Sequence, residues 1–186
     1  ENPSLRPSRA FSLPALCFFA LLLFLPSLGA TEWEELEGAT LVRDRYADGD
    51  SFTARHQGKE YTFRLFFVDT PETNNPYPER VRGQARAFSI SAPEAIEFGD
   101  EASDFTRDFL SKPFTVYTDW SDGWGAGTRF RAIVVRDGRD LGEELVRNGL
   151  ARVSGFIPDS PWPGLGKSIS DALRELKRLQ SEARRD

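Results

Sequence analysis

Acidic side chains stand at two points of this sequence where an apolar strand pattern begins or ends. The stretch RLFFVDTPET, residues 64–73, passes from an apolar run into Asp69 and Glu72. The tripeptide DGD ends with Asp50, immediately before a second strand-like stretch. Two carboxylates, a backbone carbonyl and water are ligands that calcium and magnesium prefer, whereas zinc favours cysteine and histidine. A hard-cation site is therefore one interpretation of these acids, with Glu72 above it.

An antiparallel sheet would bring the two acidic positions together. Alternating residues rich in Val, Phe, Thr and Tyr predict three strands, at about 39–46, 50–56 and 60–68. Neighbouring antiparallel strands run in opposite directions, so the start of the second and the end of the third lie at one end of the sheet. Asp50 and Asp69 can therefore converge.

Ordinary turn chemistry explains each of these pieces when it is taken alone. Asp-Gly is a common hairpin dipeptide, and Asp, Thr and Pro are frequent turn residues. Arg64 could equally be a solvated strand residue. It precedes Asp69 by five positions, so on a regular strand the two side chains face opposite ways. They share a site only if the chain bends or bulges between them.

The remaining elements complete an α+β pattern. Residues 74–90 form a long excursion without a clear strand pattern, and a capping box then begins a helix to about Leu110 that Gly99 could interrupt. Two further strands follow, then a short helix that ends at Gly149 and a last amphipathic helix. Five short strands with a helix after the third suit a small closed barrel of the OB type.

The composition excludes several kinds of catalytic site. The 186 residues include one cysteine, Cys17, and one histidine, His56, which lies in a predicted hairpin turn and fits an exposed turn residue. The sequence therefore lacks the residues needed for a Ser-His-Asp hydrolase, a zinc-cysteine site or a nuclease that uses several histidines. The net charge of −5 does not favour bulk nucleic-acid binding by counterion release, so any phosphate contact would be local.

The first thirty residues have the composition of a secretory signal peptide. Arg6 and Arg9 precede an apolar run that ends in small residues, before a charged segment. The apolar part, residues 11–25, would span about 22 Å as a helix, less than the roughly 30 Å of a bilayer core. We expect cleavage near Ala30 and a secreted or periplasmic protein, with a retained membrane anchor as the alternative. The predicted organisation is a signal peptide at 1–30, an acidic linker at 31–38, a folded domain at 39–157, and a Pro-rich connection with a C-terminal helix at 158–186.

Four separated blocks resemble, in order and spacing, the staphylococcal (thermonuclease-type) nuclease family. They are YADGDSF, YTFRLFFVDTPET, GDEASDFTRDFL and RFRAIVVRDGRDLGEELVRNGLARV, and the resemblance covers residues 39–157. It implies an α+β fold with a five-stranded OB-fold barrel and about three helices. It also implies a calcium ion held by Asp50, Asp69 and the carbonyl of Thr70.

The same resemblance implies roles for further side chains. Glu72 would be the general base for an attacking water, with Asp48 an outer neighbour of the metal. Arg64 and Arg129 would offer planar charged forks to the phosphate oxygens. The implied activity is hydrolysis of DNA and RNA with little sequence preference, which leaves 3′-phosphate ends. We expect a monomer with no obligate protein partner.

Departures from the family pattern concern substrate binding rather than the chemical step. Ala126 and Gly127 replace a Lys-Tyr pair of well-known members, and Gly155 and Ile157 replace two tyrosines that flank the nucleotide. Other aromatic residues could stack on bases, although core or loop anchors are the simpler interpretation: Trp120, Trp124 and Phe156. Three arginines of the excursion could contact phosphate, although a solvated basic face is the simpler interpretation: Arg80, Arg82 and Arg86.

A module that only binds nucleic acid or protein, without catalysis, is the alternative function. Such a module has no need to keep the acidic and basic positions together, and the acidic net charge opposes passive nucleic-acid binding. The sequence therefore favours an enzyme.

Overall fold

The computed structural model describes most of the chain after the N-terminal segment. The described residues are 33–43, 48–74, 77–122, 129–155, 157–158 and 167–184. Several predictions concern residues outside these ranges: the signal peptide with Cys17, Trp124, Ala126, Gly127, Phe156 and most of the Pro-rich connection. In the described part of the chain, no helix has the length and apolar character needed to cross a membrane.

Short strands and helices alternate along the described chain. In order, the elements are β1 (Glu34–Val42), β2 (Ser51–His56), β3 (Lys59–Leu65), β4 (Val68–Asp69), α1 (Pro78–Phe88), α2 (Ala92–Phe109), β5 (Phe114–Asp122), β6 (Phe130–Arg136), β7 (Arg139–Asp140), α3 (Leu141–Arg147), β8 (Arg152–Val153) and α4 (Ile169–Ala183).

Five of the strands close into a barrel. β3, β2, β1, β5 and β6 are antiparallel neighbours in that order, and a parallel pairing of β6 with β3 closes the circle. Large side chains that alternate along the strands fill the interior, and Phe52, Phe63 and Val116 are almost completely buried. This arrangement confirms the predicted α+β fold with a five-stranded OB-type barrel.

Two elements differ from the sequence prediction. β1 begins at Glu34, inside the segment expected to be an acidic linker, because Leu36 and Ala39 point into the core while the glutamates on either side of Leu36 stay exposed. The structure also describes four helices where about three were expected. The additional one, α1, lies in the excursion, where its few apolar residues did not indicate a helix.

Helix α2 forms as predicted and supports the loops at one end of the barrel. Ser91 and Glu94 make the predicted capping box, and the helix continues through Gly99 without a break. A Cβ added at Gly99 would lie 2.3 Å from the carbonyl oxygen of Glu72, and one added at Gly49 would lie 2.7 Å from Ala102 Cβ. Both acidic segments therefore rest directly on α2, which needs glycine at these two contacts.

Candidate active site

A bend after β3 turns Arg64 and Asp69 toward each other. β3 ends at Leu65, and Phe67 has a positive φ of 65°, which is costly for a bulky residue. The chain then forms β4, in which Asp69 pairs with Arg152 of β8 instead of continuing the barrel strand. The sequence required such a bend before the two side chains could share a site, and the structure has it.

The guanidinium group of Arg64 bridges the two aspartates that were expected to converge. Arg64 Nη1 donates to Asp50 Oδ1 at 2.9 Å, and Nη2 lies 2.8 Å from Asp50 Oδ2. The same Nη2 donates to Asp69 Oδ1 at 2.9 Å. Asp50 and Asp69 are both buried, so this charge-assisted contact offsets part of the cost of removing two carboxylates from water.

Burial changes the proton affinity of the acidic side chains. It raises the pKa of Asp50 above its ordinary value; Arg64 opposes this increase and Asp69 adds to it. Burial also raises the pKa of Asp48 to about 6, with contributions from the nearby carboxylates of Glu72 and Asp50. Burial is the largest cause for both groups, so a cation bound beside these carboxylates would favour their charged forms.

Thr70 presents backbone and side-chain oxygens beside these carboxylates. Its N–H donates to Asp50 Oδ2 at 3.1 Å, which ties the loop after β4 to the start of β2. Its hydroxyl Oγ1 is buried and has no hydrogen-bond partner among the described residues. An unpartnered buried hydroxyl is costly, which suits a loop that receives a ligand.

The oxygen donors fit a hard cation in type, but the protein supplies few of them. Within the described ranges, no group of three or more Asp, Glu, His or Cys side chains is arranged to hold a metal ion. Two carboxylates, Asp50 and Asp69, and the carbonyl of Thr70 would therefore need water to complete the six to eight oxygens of calcium.

Glu72 and Arg80 form an ion pair at the edge of the site. Arg80 Nε contacts Glu72 Oε1 at 2.5 Å, and Arg80 Nη2 lies 3.1 Å from Asp69 Oδ1. The interpretation of Arg80 as part of a solvated face is therefore wrong, because α1 carries its side chain to these acids. Arg82 fits that interpretation, since it is exposed and pairs with Glu79, and Arg86 is also exposed.

Arg129, immediately before β6, contacts the start of β2. Its Nη1 donates to Ser51 Oγ at 3.2 Å, and Arg64 Nη1 lies 3.4 Å from the same oxygen. Ser51 in turn donates to Asp50 Oδ1 at 3.1 Å. One hydroxyl oxygen therefore stands between two guanidinium groups. All six residues predicted for the site, and Asp48, lie at the same end of the barrel.

Arg152 was not predicted as part of the site. Its Nε and Nη2 contact Asp69 Oδ2 at 2.9 and 2.8 Å. The residue is separated from Asp69 by 83 positions, and only the two-residue pairing of β4 with β8 brings them together. Strands this short leave no periodic pattern in a sequence, so only the surplus of basic residues in this block could have indicated it.

Of the three residues considered for base stacking, Trp120 is the one that lies in the described part of the chain. Trp120 packs against the rings of Tyr61, Phe63 and Phe130, and its indole N–H donates to Glu34, so it anchors the barrel wall. Ile157 is 57% exposed, and it carries no ring to stack on a base.

His56 ends β2 beside its hairpin turn, opposite Lys59, and is half-buried rather than exposed.

Comparison with known proteins gives consistent matches. The family model described as "Staphylococcal nuclease homologue" matches residues 62–186, which confirms the resemblance and extends it through α4. Endonuclease YncB of Bacillus subtilis (strain 168) is 32% identical over 112 residues, which cover 60% of this chain and 46% of that protein. The SPbeta prophage-derived endonuclease YokF of the same strain is 31% identical over 122 residues, 65% of this chain and 36% of that protein. The aligned part thus spans less than half of each relative.

Proposed function

Since this chain belongs to the staphylococcal nuclease family, we propose that it is an endonuclease that hydrolyses DNA and RNA with little sequence preference. The observation that carries this proposal is the approach of Arg64 and Arg129 to one hydroxyl, that of Ser51, at 3.4 and 3.2 Å. Two guanidinium groups this close repel each other. A phosphate beside them would relieve the repulsion and accept hydrogen bonds from both planar forks.

Calcium is the cofactor that the oxygen donors support. Asp50, Asp69 and the carbonyl of Thr70 would hold it, and the unpartnered hydroxyl of Thr70 lies in the same loop. Bound calcium would offset negative charge on a non-bridging phosphate oxygen and help to order the attacking water. These are hard oxygen ligands, which fit calcium better than zinc or copper.

Side chains of the protein supply charge stabilisation and proton transfer. Arg64 and Arg129 present planar guanidinium forks to the phosphate oxygens, so their role is electrostatic stabilisation of the phosphate as charge builds in the transition state. Glu72 accepts the proton of the attacking water. Arg80 contacts Glu72 Oε1, so we assign Oε2 to the water. Attack opposite the 5′ oxygen leaves a 3′-phosphate.

Cleavage of single-stranded DNA and of RNA by the purified protein, with calcium and with a chelator, tests this proposal. Glu72→Gln keeps the shape of the side chain but cannot accept the proton. We expect calcium-dependent cleavage, 3′-phosphate ends, and a loss of about 10²- to 10⁴-fold in kcat for this variant. A folded wild-type protein that cuts neither substrate at any calcium concentration would refute the proposal and support the alternative of a catalytically silent binding module.

The proposal for the cellular setting rests on the N-terminal segment. We propose that the protein is exported after cleavage near Ala30 and acts as a monomer without an obligate partner. The charge and apolar pattern of residues 1–30 support export. N-terminal sequencing of the protein from the extracellular or periplasmic fraction tests it, and light scattering at micromolar concentration measures the oligomeric state. An uncleaved protein in the membrane fraction would favour the anchor.

A further inference from the structure

Helix α1 carries one buried amide side chain that contacts the loop of the proposed reaction at three points. Gln84 is only 1% exposed to solvent. Its Oε1 accepts a hydrogen bond from the backbone N–H of Glu72 at 3.1 Å, and its Nε2 donates to the carbonyl of Thr70 at 2.9 Å. Nε2 also lies 3.4 Å from Asp69 Oδ2.

The partners of Gln84 determine how its amide is oriented. A backbone N–H can only donate and a backbone carbonyl can only accept, so Oε1 must face Glu72 and Nε2 must face Thr70. A buried amide without partners is costly in proteins, and here both of its ends are used. All of these partners lie within the four residues 69–72, so the amide is fitted to this loop and to no other described segment.

The loop has few other restraints on its backbone. Pro71 has no N–H, and the N–H of Thr70 is held by Asp50 at 3.1 Å. Gln84 therefore holds the backbone groups on either side of Pro71. The carbonyl of Thr70 has two lone pairs, so a hydrogen bond from Gln84 leaves one free to coordinate a cation.

Packing of α1 on α2 brings Gln84 to the loop, where its own hydrogen bonds hold it. Val81, Ala85 and Ala95 are buried together in a small apolar cluster that is separate from the barrel core. Gln84 lies between Val81 and Ala85 in sequence, on the same buried face of α1. α2 in turn contacts the backbone of Glu72 at Gly99, so both helices support the same loop.

We propose that Gln84 is a positioning residue, which orients the Thr70 carbonyl and the Glu72 base for phosphodiester hydrolysis. This inference rests on the proposed function. Without the amide, the loop keeps its contacts with Asp50 and α2 but loses the restraint across Pro71. A displacement of about 1 Å of a reacting group can cost about 100-fold in rate. The loss should appear in kcat, because the arginines that bind phosphate are not held by Gln84.

Gln84→Met tests the proposal because it keeps the length and apolar stem of the side chain and removes only its donors and acceptor. Val81→Ala is the matched control, since it weakens the same helix packing without contacting the loop. For each variant we would measure kcat and KM, the urea midpoint, and the hydrogen-exchange rate of the Glu72 amide. We expect kcat of Gln84→Met to fall about 10- to 100-fold with KM changed less than about threefold, and exchange at Glu72 to accelerate at least about tenfold. Val81→Ala should lower the urea midpoint and change neither kcat nor this exchange by more than about threefold.

Two results would overturn the inference. One is a kcat within about twofold of wild type in Gln84→Met; the other is an equal loss of kcat in Val81→Ala, which would show a structural role only. If Gln84→Met does not fold, Gln84→Asn, whose amide is one methylene too short to reach both partners, is measured in the same way and against the same limits. A wild-type protein that cuts nothing refutes the proposed function and the catalytic role of Gln84 together. In that case the exchange rate still shows whether Gln84 restrains the loop, so the two failures are distinguishable.

Discussion

Gly99 offers a direct test of how closely α2 must approach the loop that carries Glu72. A Cβ at this position would lie 2.3 Å from the carbonyl oxygen of Glu72, 2.6 Å from its carbonyl carbon and 2.9 Å from the carbonyl oxygen of Pro71. Ordinary contact begins at 3.4 Å, so Gly99→Ala must push the helix and the loop apart by about 1 Å. The atoms in the way are backbone atoms, which cannot rotate aside as a side chain can.

Two opposing terms set the expected stability of Gly99→Ala. Alanine is favoured over glycine inside a helix by about 1 kcal/mol. Overpacking of a tight contact costs about 1–3 kcal/mol. The net expectation is a loss of about 0–2 kcal/mol, accompanied by a decrease of about 10- to 100-fold in kcat, because Glu72 moves with its backbone.

Gly83→Ala is the control for Gly99→Ala. Gly83 lies inside α1, where the nearest atom to an added Cβ is the distal Nη2 of Arg86 at 4.0 Å. This variant should gain about 0.5–1 kcal/mol and retain wild-type kcat. Urea unfolding measures the stability of both variants, and cleavage kinetics measure their kcat. If Gly99→Ala is stabilised as much as Gly83→Ala and remains fully active, α2 does not fix the position of the loop.

Three further changes test separate parts of the site and the fold. Arg64→Lys keeps the charge but loses the fork that contacts Asp50 and Asp69, so kcat/KM should fall at least about 100-fold in cleavage assays, and a loss below fivefold would contradict this role. Arg152→Gln removes a cation 2.8 Å from Asp69 Oδ2. Because like charges repel, calcium should bind this variant about 3- to 10-fold more tightly than wild type, as measured by calorimetry. An unchanged affinity would argue against calcium at Asp69. Burial raises the pKa of Asp140, the N-cap of α3, from 3.8 to about 6. The folded state therefore binds this proton more tightly than the unfolded state, and stability is lost as the pH rises from about 3.8 to about 6. If Asp140 were fully buried, the free energy of unfolding would fall by at most about 3 kcal/mol over this pH range. Asp140 is partly exposed, so we expect a decrease of about 1–2 kcal/mol. Asp140→Asn keeps a good N-cap but cannot titrate. In urea unfolding, this variant should be as stable as wild type near pH 3.5 and more stable than wild type at pH 7. The reasoning is refuted if the stability difference between variant and wild type is the same at both pH values.

Local patterns were sufficient for the barrel and for the convergence of Asp50 and Asp69, and the family resemblance supplied the roles of the other predicted site residues. Alternating apolar residues indicate strands, a capping box marks the start of α2, and the spacing of the DGD and DTPET stretches places their acids at one end of an antiparallel pair. Each of these features depends on residues that are neighbours in sequence or in adjacent strands. The family resemblance then associated Arg129 with the same end, and the structure places it there.

Only the tertiary structure revealed the residues that surround these six. Arg80 and Gln84 lie on a helix whose buried face is short and partly polar, so its periodicity is weak. Arg152 reaches Asp69 through a two-residue strand pairing, and β1 extends into an acidic stretch because one face of it packs on the core. Sequence patterns record the repeat of a single element, whereas these contacts depend on how separate elements pack together. The sequence by itself therefore predicted the barrel and the six site residues, and the packing of α1, α2 and β8 decided which other side chains contact them.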